Sequence, residues 1–79
     1  MRSIDTVKLA RARALSTSGR GRQIRIDHEL SLNDVGRDIG TSHVTVYRWE
    51  NGKRRPTGPA AIKWVDLLSE LERLAVEAV

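Results

Sequence analysis

The stretch that decides the fold of this 79-residue chain is Leu30–Pro56, LSLNDVGRDIGTSHVTVYRWENGKRRP. Ser31 and Ser42 each precede a run with helical spacing of apolar residues, and serine is a preferred helix N-cap. Gly40 lies between the two runs and can adopt the left-handed conformation that ends a helix. Residues 51–52, Asn-Gly, close the second run. The stretch therefore predicts two short helices joined by a tight turn, the second one over about 42–50.

The two predicted helices carry the residues that a steep helix crossing requires. Gly36 is small enough for the close approach of two backbones. Apolar side chains recur at inward positions, namely Val35, Ile39, Val46 and Trp49, with Thr41 partly buried in the turn. This arrangement is typical of a helix-turn-helix, in which the second helix enters the major groove of DNA.

The outer face of the second helix stays polar, which suits contact with DNA. The residues predicted on that face are His43, Thr45, Tyr47 and Arg48, with Val44 at the helix start. Three consecutive cations, Lys53–Arg55, follow in a loop where DNA phosphates would lie. The sequence thus predicts a DNA-binding surface.

Positive charge is concentrated in the first third of the chain. Residues 1–25 carry seven basic residues against Asp5 alone, whereas residues 57–79 carry two basic and four acidic residues. The whole chain has a net charge of +4 and a pI of about 10.3. A field polarised in this way orients a protein on a polyanion such as DNA.

Several classes of function are disfavoured by composition. The chain has no cysteine and two histidines, His28 and His43, without a cluster of further metal ligands. No catalytic triad or glycine-rich phosphate loop is present, and no apolar run reaches the ~20 residues of a membrane helix. We expect no enzyme activity, cofactor, metal site, small-molecule substrate or membrane association. The expected location is the cytoplasm, at the nucleoid, or the host cytoplasm if a phage encodes the chain.

Three further helices are predicted outside the decisive stretch. The first covers residues 4–16, with Ser3 as its N-cap, and a break follows at 16–19. Residues 20–29 are assigned to a helix rather than a strand, because no second strand could pair with them. The last helix covers about 59–78. We expect an all-α fold, a compact bundle of about five helices that contains the helix-turn-helix, a basic N-terminal helix and a longer C-terminal helix.

The last helix carries more apolar surface than one short neighbour covers. Its seam consists of Trp64, Leu68, Leu71, Ala75 and Ala78. This seam is expected to be core first, and a homodimer through the C-terminal helix is the second possibility. We expect one DNA-binding domain over 1–79, with its core at about 20–68.

The segments IRIDHELSLNDVG and IGTSHVTVYRWENGKRRP resemble the lambda-repressor-like, Cro/Xre-type helix-turn-helix family. The resemblance covers residues from about Arg20 to Leu68, without a gap, and is greatest to small regulators of actinobacteria and their phages. It implies a compact all-α domain that binds duplex DNA sequence-specifically, usually as a dimer on a two-fold site.

The resemblance also implies roles for individual residues. Base edges would be read by His43, Val44, Tyr47 and Arg48, with a neighbouring phosphate as the alternative contact of Arg48. Phosphate contacts are expected from Ser42, Thr45, Asn51, Lys53, Arg54, Arg55, Arg20 and Arg22. Arg25 and Glu50 would form a structural ion pair. Leu32 departs from the family, which often has a phosphate-binding glutamine there. The N-terminal helix lies outside the family core; it could extend the DNA contact, form a dimer arm, or present a solvated basic face.

The function that these observations predict is a transcriptional regulator that binds specific double-stranded DNA, such as a Cro-like or small repressor of phage or bacterial origin. An antitoxin-type DNA-binding protein, with its last helix held by a toxin, is one alternative. A recombination accessory factor that bends DNA is another.

Overall fold

Five α-helices make up the chain over residues 3–77, which are the residues that this computed structural model describes. They are α1 (Ser3–Ser18), α2 (Arg20–Asp27), α3 (Leu32–Ile39), α4 (His43–Glu50) and α5 (Gly58–Glu77). No strand occurs within that range. The predicted all-α bundle of about five helices is therefore confirmed, as is the helical assignment of the segment after residue 20.

The caps of α3 and α4 are those predicted from the sequence. Ser31 and Asp34 form a reciprocal capping box: the Asp34 amide donates to Ser31 Oγ at 2.9 Å, and the Ser31 amide donates to Asp34 Oδ2 at 2.8 Å. The Ser31 backbone N–H and hydroxyl lower the pKa of Asp34. Gly40 ends α3 with φ 79°, and Ser42 Oγ accepts the Thr45 amide at 3.2 Å. Local side-chain chemistry thus sets both ends of the turn.

The close approach of α3 and α4 occurs at Gly36, which is buried. A Cβ atom placed on Gly36 would lie 2.9 Å from the Thr41 carbonyl oxygen and 3.2 Å from the His43 amide nitrogen. Both atoms belong to the backbone and cannot rotate away as a flexible side chain could. The absence of a side chain here allows the turn to bring α4 against α3.

The core is built around Trp64 of α5, which is fully buried together with Leu68. The ring of Trp64 packs against that of Trp49 from α4, with the centroids 5.2 Å apart and the planes tilted by 49°. The other buried apolar residues come from all five helices, namely Leu9, Ala12, Leu15, Ile24, Val35, Ile39, Val46, Ala61 and Val65. Trp64 therefore joins the helix-turn-helix to α5 within one apolar core.

A second glycine permits close packing that the sequence analysis did not predict. A Cβ atom on Gly21 of α2 would lie 2.7 Å from Cζ2 of the Trp64 ring. Gly21 sits inside a helix, where glycine is unfavourable by about 1 kcal/mol relative to alanine. Glycine occupies this position because the Trp64 ring lies directly against the backbone of Gly21 and leaves no room for a Cβ atom.

The boundary between α1 and α2 differs from the prediction. The predicted break at 16–19 is wrong at its start, because α1 continues through Ser18 and only Gly19, with φ 76°, interrupts the helix. Thr17 and Ser18 remain in α1, and their hydroxyls donate to carbonyl oxygens of the preceding turn, at 3.1 Å to Arg13 and 3.5 Å to Leu15.

Ser16, also predicted as a turn residue, is buried, and its hydroxyl donates to the carbonyl oxygen of Trp49. This hydrogen bond joins α1 to the last turn of α4. The structure does not describe the side chain of Ser3, which was predicted to cap α1. Ala78 of the predicted seam lies outside the described residues.

An ion pair between Arg25 and Glu50 joins α2 to the end of α4. Arg25 Nε and Nη2 donate to Glu50 Oε2 and Oε1 at 2.7 and 2.9 Å, and Arg25 Nη1 donates to the Leu30 carbonyl oxygen at 2.8 Å. Only 14% of the Arg25 side chain and 1% of the Glu50 side chain are exposed. The hydrogen bonds to Glu50 raise the pKa of Arg25.

Substitution of Gly36 by valine is expected to destabilise the fold. A branched side chain would force the backbones of α3 and the turn apart, and overpacking of this kind costs about 1–3 kcal/mol or more. The control is Asp38→Val, at an exposed position of the same helix, which should change stability by less than about 0.5 kcal/mol. Urea unfolding followed by circular dichroism measures both. Equal unfolding midpoints for the two variants would contradict the close approach at Gly36.

Removal of Arg25 should destabilise the protein more than removal of an exposed arginine. Arg25→Ala leaves the Glu50 carboxylate buried without its partner, and breaking a buried pair in this way costs about 3–5 kcal/mol. Arg73→Ala is the matched control, since its pair with Glu70 is exposed and should contribute less than about 1 kcal/mol. If thermal unfolding showed similar losses of stability for the two variants, the Arg25–Glu50 pair would contribute no more to stability than an exposed ion pair.

Candidate nucleic-acid interface

The residues predicted to read bases all lie on the exposed face of α4. His43 and Arg48 are exposed, and Val44 and Tyr47 keep 41% and 44% of their surface accessible. The opposite face of α4 is buried and consists of Val46, Trp49 and Glu50. Because residues 43 and 47, and residues 44 and 48, are four positions apart, the four side chains form one continuous patch along the helix. Two polar side chains, one aromatic ring and one small apolar side chain are thus presented together.

The amino-terminal end of α4 is rigidly capped. Ser42 Oγ accepts the Thr45 amide and lies 3.2 Å from Thr45 Oγ1. Ser42 is exposed, whereas Thr45 is half-buried beside it. The cap therefore fixes the first turn of α4, where His43 and Val44 lie.

The loop after α4 folds back onto the end of that helix. The amides of Lys53 and Arg54 donate to the Arg48 carbonyl oxygen at 2.8 and 3.3 Å, and Asn51 Nδ2 donates to the Tyr47 carbonyl oxygen at 2.8 Å. Lys53 Nζ lies 5.8 Å from the centroid of the Tyr47 ring, within the range of a cation–π contact. The three cations 53–55 are exposed, and Lys53 lies next to the exposed patch of α4.

Cations elsewhere in the fold are mostly neutralised by carboxylates, whereas those at α4 and its loop are not. Ion pairs with Asp or Glu are formed by Lys8, Arg11, Arg20, Arg25, Arg37 and Arg73. Within residues 3–77, no ion pair is formed by Arg13, Arg22, Arg48, Lys53, Arg54, Arg55 or Lys63. Uncompensated positive charge is therefore concentrated at the end of α4 and in the loop after it.

Two of the predicted phosphate contacts, Arg20 and Arg22, lie at the start of α2. Arg20 Nη2 is 3.4 Å from Glu72 Oε2, at a groove between α2 and α5. Arg22 is exposed. The pairing of Arg20 reduces the charge that it offers to an external anion.

The family's glutamine position is occupied by an apolar residue that the structure uses for packing. Leu32 is half-buried and packs against the core at the start of α3. No polar side chain takes the place of that glutamine at this position. The start of α3 therefore lacks the polar side chain with which family members often bind a DNA phosphate.

The two histidines lie in different settings. His28 is the half-buried C-cap residue of α2, whereas His43 is exposed at the first position of α4. Over the described part of the chain, no group of three or more His, Cys, Asp or Glu residues is placed to hold a metal ion. None of the helices within residues 3–77 has the length and apolar character needed to cross a membrane.

Comparison with known proteins identifies a helix-turn-helix domain in this chain. No curated protein and no solved structure is similar enough to the chain to count as a match. A family model described as helix-turn-helix matches residues 22–73, which is about two thirds of the sequence and includes α3, α4 and most of α5. The matched span contains the exposed patch of α4, the loop cations and both partners of the Arg25–Glu50 pair. On this evidence the chain belongs to the Cro/Xre-type helix-turn-helix family of DNA-binding regulators.

Proposed function

We propose that this protein is a transcriptional regulator that binds a specific double-stranded DNA sequence, of the Cro-like or small repressor kind, from a phage or a bacterium. The observation that carries the proposal is the exposed patch of α4 together with the adjacent loop of cations that have no carboxylate partner. A rigid helix with such a patch fits the major groove, and the loop cations lie where the sugar-phosphate backbone would pass. The function is one of binding and not of catalysis.

The base-reading patch offers a different contact at each position. The guanidinium of Arg48 can donate two hydrogen bonds to O6 and N7 of guanine. Val44 can pack against the methyl group of thymine, and the ring nitrogens of His43 and the hydroxyl of Tyr47 can hydrogen-bond to base edges. These assignments give the DNA site a preference at several adjacent base pairs.

Phosphate contacts are assigned to the two ends of α4. Ser42 and Thr45 lie at its amino-terminal end, where backbone amides and the helix dipole favour an anion. Asn51 and the loop cations 53–55 lie at the other end. Together the two sets would hold α4 in register along the groove. Arg20 and Arg22 would add weaker contacts from α2.

We further propose that residues 1–79 act as one domain, in the cytoplasm at the nucleoid, and that the protein pairs with a second copy through α5. Supporting the pairing, Leu74 and Val76 near the end of α5 are 55% and 75% exposed, although both are apolar. A two-fold dimer would place two copies of α4 on successive major grooves of one DNA face.

Selection of bound sequences from a random duplex pool, at two salt concentrations, tests the proposed function. A two-fold motif is expected from a dimeric regulator, and a single half-site would show that the copies act separately. If the selected duplexes share no motif and binding depends only on the salt concentration, the proposal is overturned in favour of an architectural role such as DNA bending. Retention of the motif together with capture of a toxin on α5 would indicate the antitoxin alternative.

Arg48→Ala should lower base discrimination. Loss of a bidentate contact to guanine is expected to reduce the preference at one or two positions of the selected motif by about 1–3 kcal/mol. Competition binding with single-base variants of the motif measures this loss. Arg73→Ala, which removes the same charge from α5, is the control and should retain full discrimination. An unchanged base preference in Arg48→Ala would show that α4 does not read the site through this residue.

Lys53→Gln should weaken binding to all duplexes alike. Loss of one phosphate contact makes the negative slope of log K against log salt concentration shallower by about 0.9, without changing the base preference. Lys63→Gln, a cation of α5 that also forms no ion pair in the described part of the chain, is the control and should leave the slope as it is. Identical slopes for the two variants would remove Lys53 from the DNA interface.

A further inference from the structure

A cationic pocket lies between α1 and the loop that follows α4. It has a volume of about 220 Å³ and is lined by Arg13, Ser16, Thr17, Arg54, Arg55 and Pro56, with Gly52 at its edge. The volume is several times the ~30 Å³ that one water molecule occupies in the liquid. Three of the lining residues are arginines and none is acidic, although most of the pocket wall is apolar. Cationic residues without a carboxylate partner therefore surround the pocket.

Arg13 reaches this pocket because of its position around α1. Successive residues of an α-helix are rotated by ~100°, so Arg11 and Arg13 project from opposite flanks of the buried face of α1. On one flank, Lys8 and Arg11 pair with Asp66 and Glu72 of α5 at 2.9 and 3.4 Å. On the other flank, Arg13 Nε donates to the carbonyl oxygen of Pro56 at 3.4 Å.

The terminal nitrogens of Arg13 have no hydrogen-bond partner within the described residues. Arg54 and Arg55 likewise form no ion pair there. Three guanidinium groups that share one pocket without a carboxylate repel one another, and an anion between them would relieve that repulsion. The charge of the pocket is thus complementary to an external anion.

The pocket is built on rigid contacts and not on a free loop. The Ser16 hydroxyl donates to the Trp49 carbonyl oxygen, which fixes α1 to the last turn of α4. Pro56 is fully buried and anchors the far end of the loop. Arg13 and Thr17 are neighbours along α1, and the Thr17 hydroxyl donates to the Arg13 carbonyl oxygen. The spacing between α1 and the loop cations is therefore set by the fold.

We propose that this pocket binds one phosphodiester group of the DNA backbone, next to the groove that α4 enters. This inference rests on the proposed function and adds to it a contact from α1, outside residues 22–73 that the family model matches. The non-bridging oxygens of the phosphate accept hydrogen bonds from Arg13 and from the loop arginines. α1 thereby becomes part of the DNA interface through one of its flanks, while α5 neutralises the other.

The test compares two glutamine variants of α1. Arg13→Gln is expected to make the negative slope of log K against log salt concentration shallower by about 0.9 on the selected duplex, and to weaken binding roughly 3- to 10-fold at 0.1 M salt. The base preference should stay the same. Arg11→Gln removes the same charge from the other flank of α1 and should keep the wild-type slope. Equal slopes for Arg13→Gln and the wild type, or for the two variants, would overturn the proposal.

A second pair of variants and a chemical probe keep the test independent of folding defects at Arg13. Thr17→Glu places a carboxylate in the pocket and should weaken binding at least tenfold, whereas Ala14→Glu, on an exposed part of α1 outside the pocket, should have a much smaller effect. Ethylation of single phosphates should reveal one position that impairs binding of the wild type and does not further impair binding of Arg13→Gln. Its absence would count against the pocket.

Failure of this inference is distinguishable from failure of the proposed function. If the wild type selects a motif and Arg48→Ala loses it, while Arg13→Gln behaves as the wild type, the function stands and the pocket does not bind phosphate. If the wild type binds no duplex, the proposed function fails and this inference fails with it.

Discussion

The placement of α4 depends first on the buried ion pair between Arg25 and Glu50. Arg25 holds the end of α4 through two hydrogen bonds to Glu50, and it holds the start of the helix-turn-helix through the Leu30 carbonyl oxygen. A single guanidinium thus fixes α2, the entry to α3 and the last turn of α4 relative to one another. The exposed patch of α4 and the loop behind it take their orientation from this contact, with Gly36 and the Trp49–Trp64 stack supplying the close packing around it.

Much of this arrangement could be predicted because the determining interactions are local in sequence. Ser31, Gly40 and Ser42 act on residues within four positions of themselves, so their roles are visible in the order of the amino acids. The exposed face of α4 follows from helical periodicity alone. The Arg25–Glu50 pair is different: it spans 25 positions, and only the resemblance to a known family indicated it.

The remaining features depend on which helices meet, and sequence patterns do not give that. Gly21 is an unfavourable helix residue until the Trp64 ring is placed against it. The cations of α1 look equivalent in the sequence, yet Lys8 and Arg11 face carboxylates of α5 while Arg13 faces a cationic loop. The predicted break at 16–19 was wrong at its start: α1 continues through Ser18, and the Ser16 hydroxyl, predicted in a turn, is buried against the Trp49 carbonyl oxygen of α4. In each case the tertiary partner decides the role.

The unequal pairing of cations has a consequence for how the protein approaches its ligand. Because acidic residues of α5 cancel the charge of Lys8, Arg11 and Arg20, the molecule carries an electric dipole whose positive end lies at α4 and its loop. In the field of a polyanion, such a dipole turns the molecule before contact, so that a larger share of diffusional encounters begins with the correct face. The carboxylates of α5 would then raise the association rate from outside the binding face, because they reduce the attraction between the polyanion and the rest of the surface.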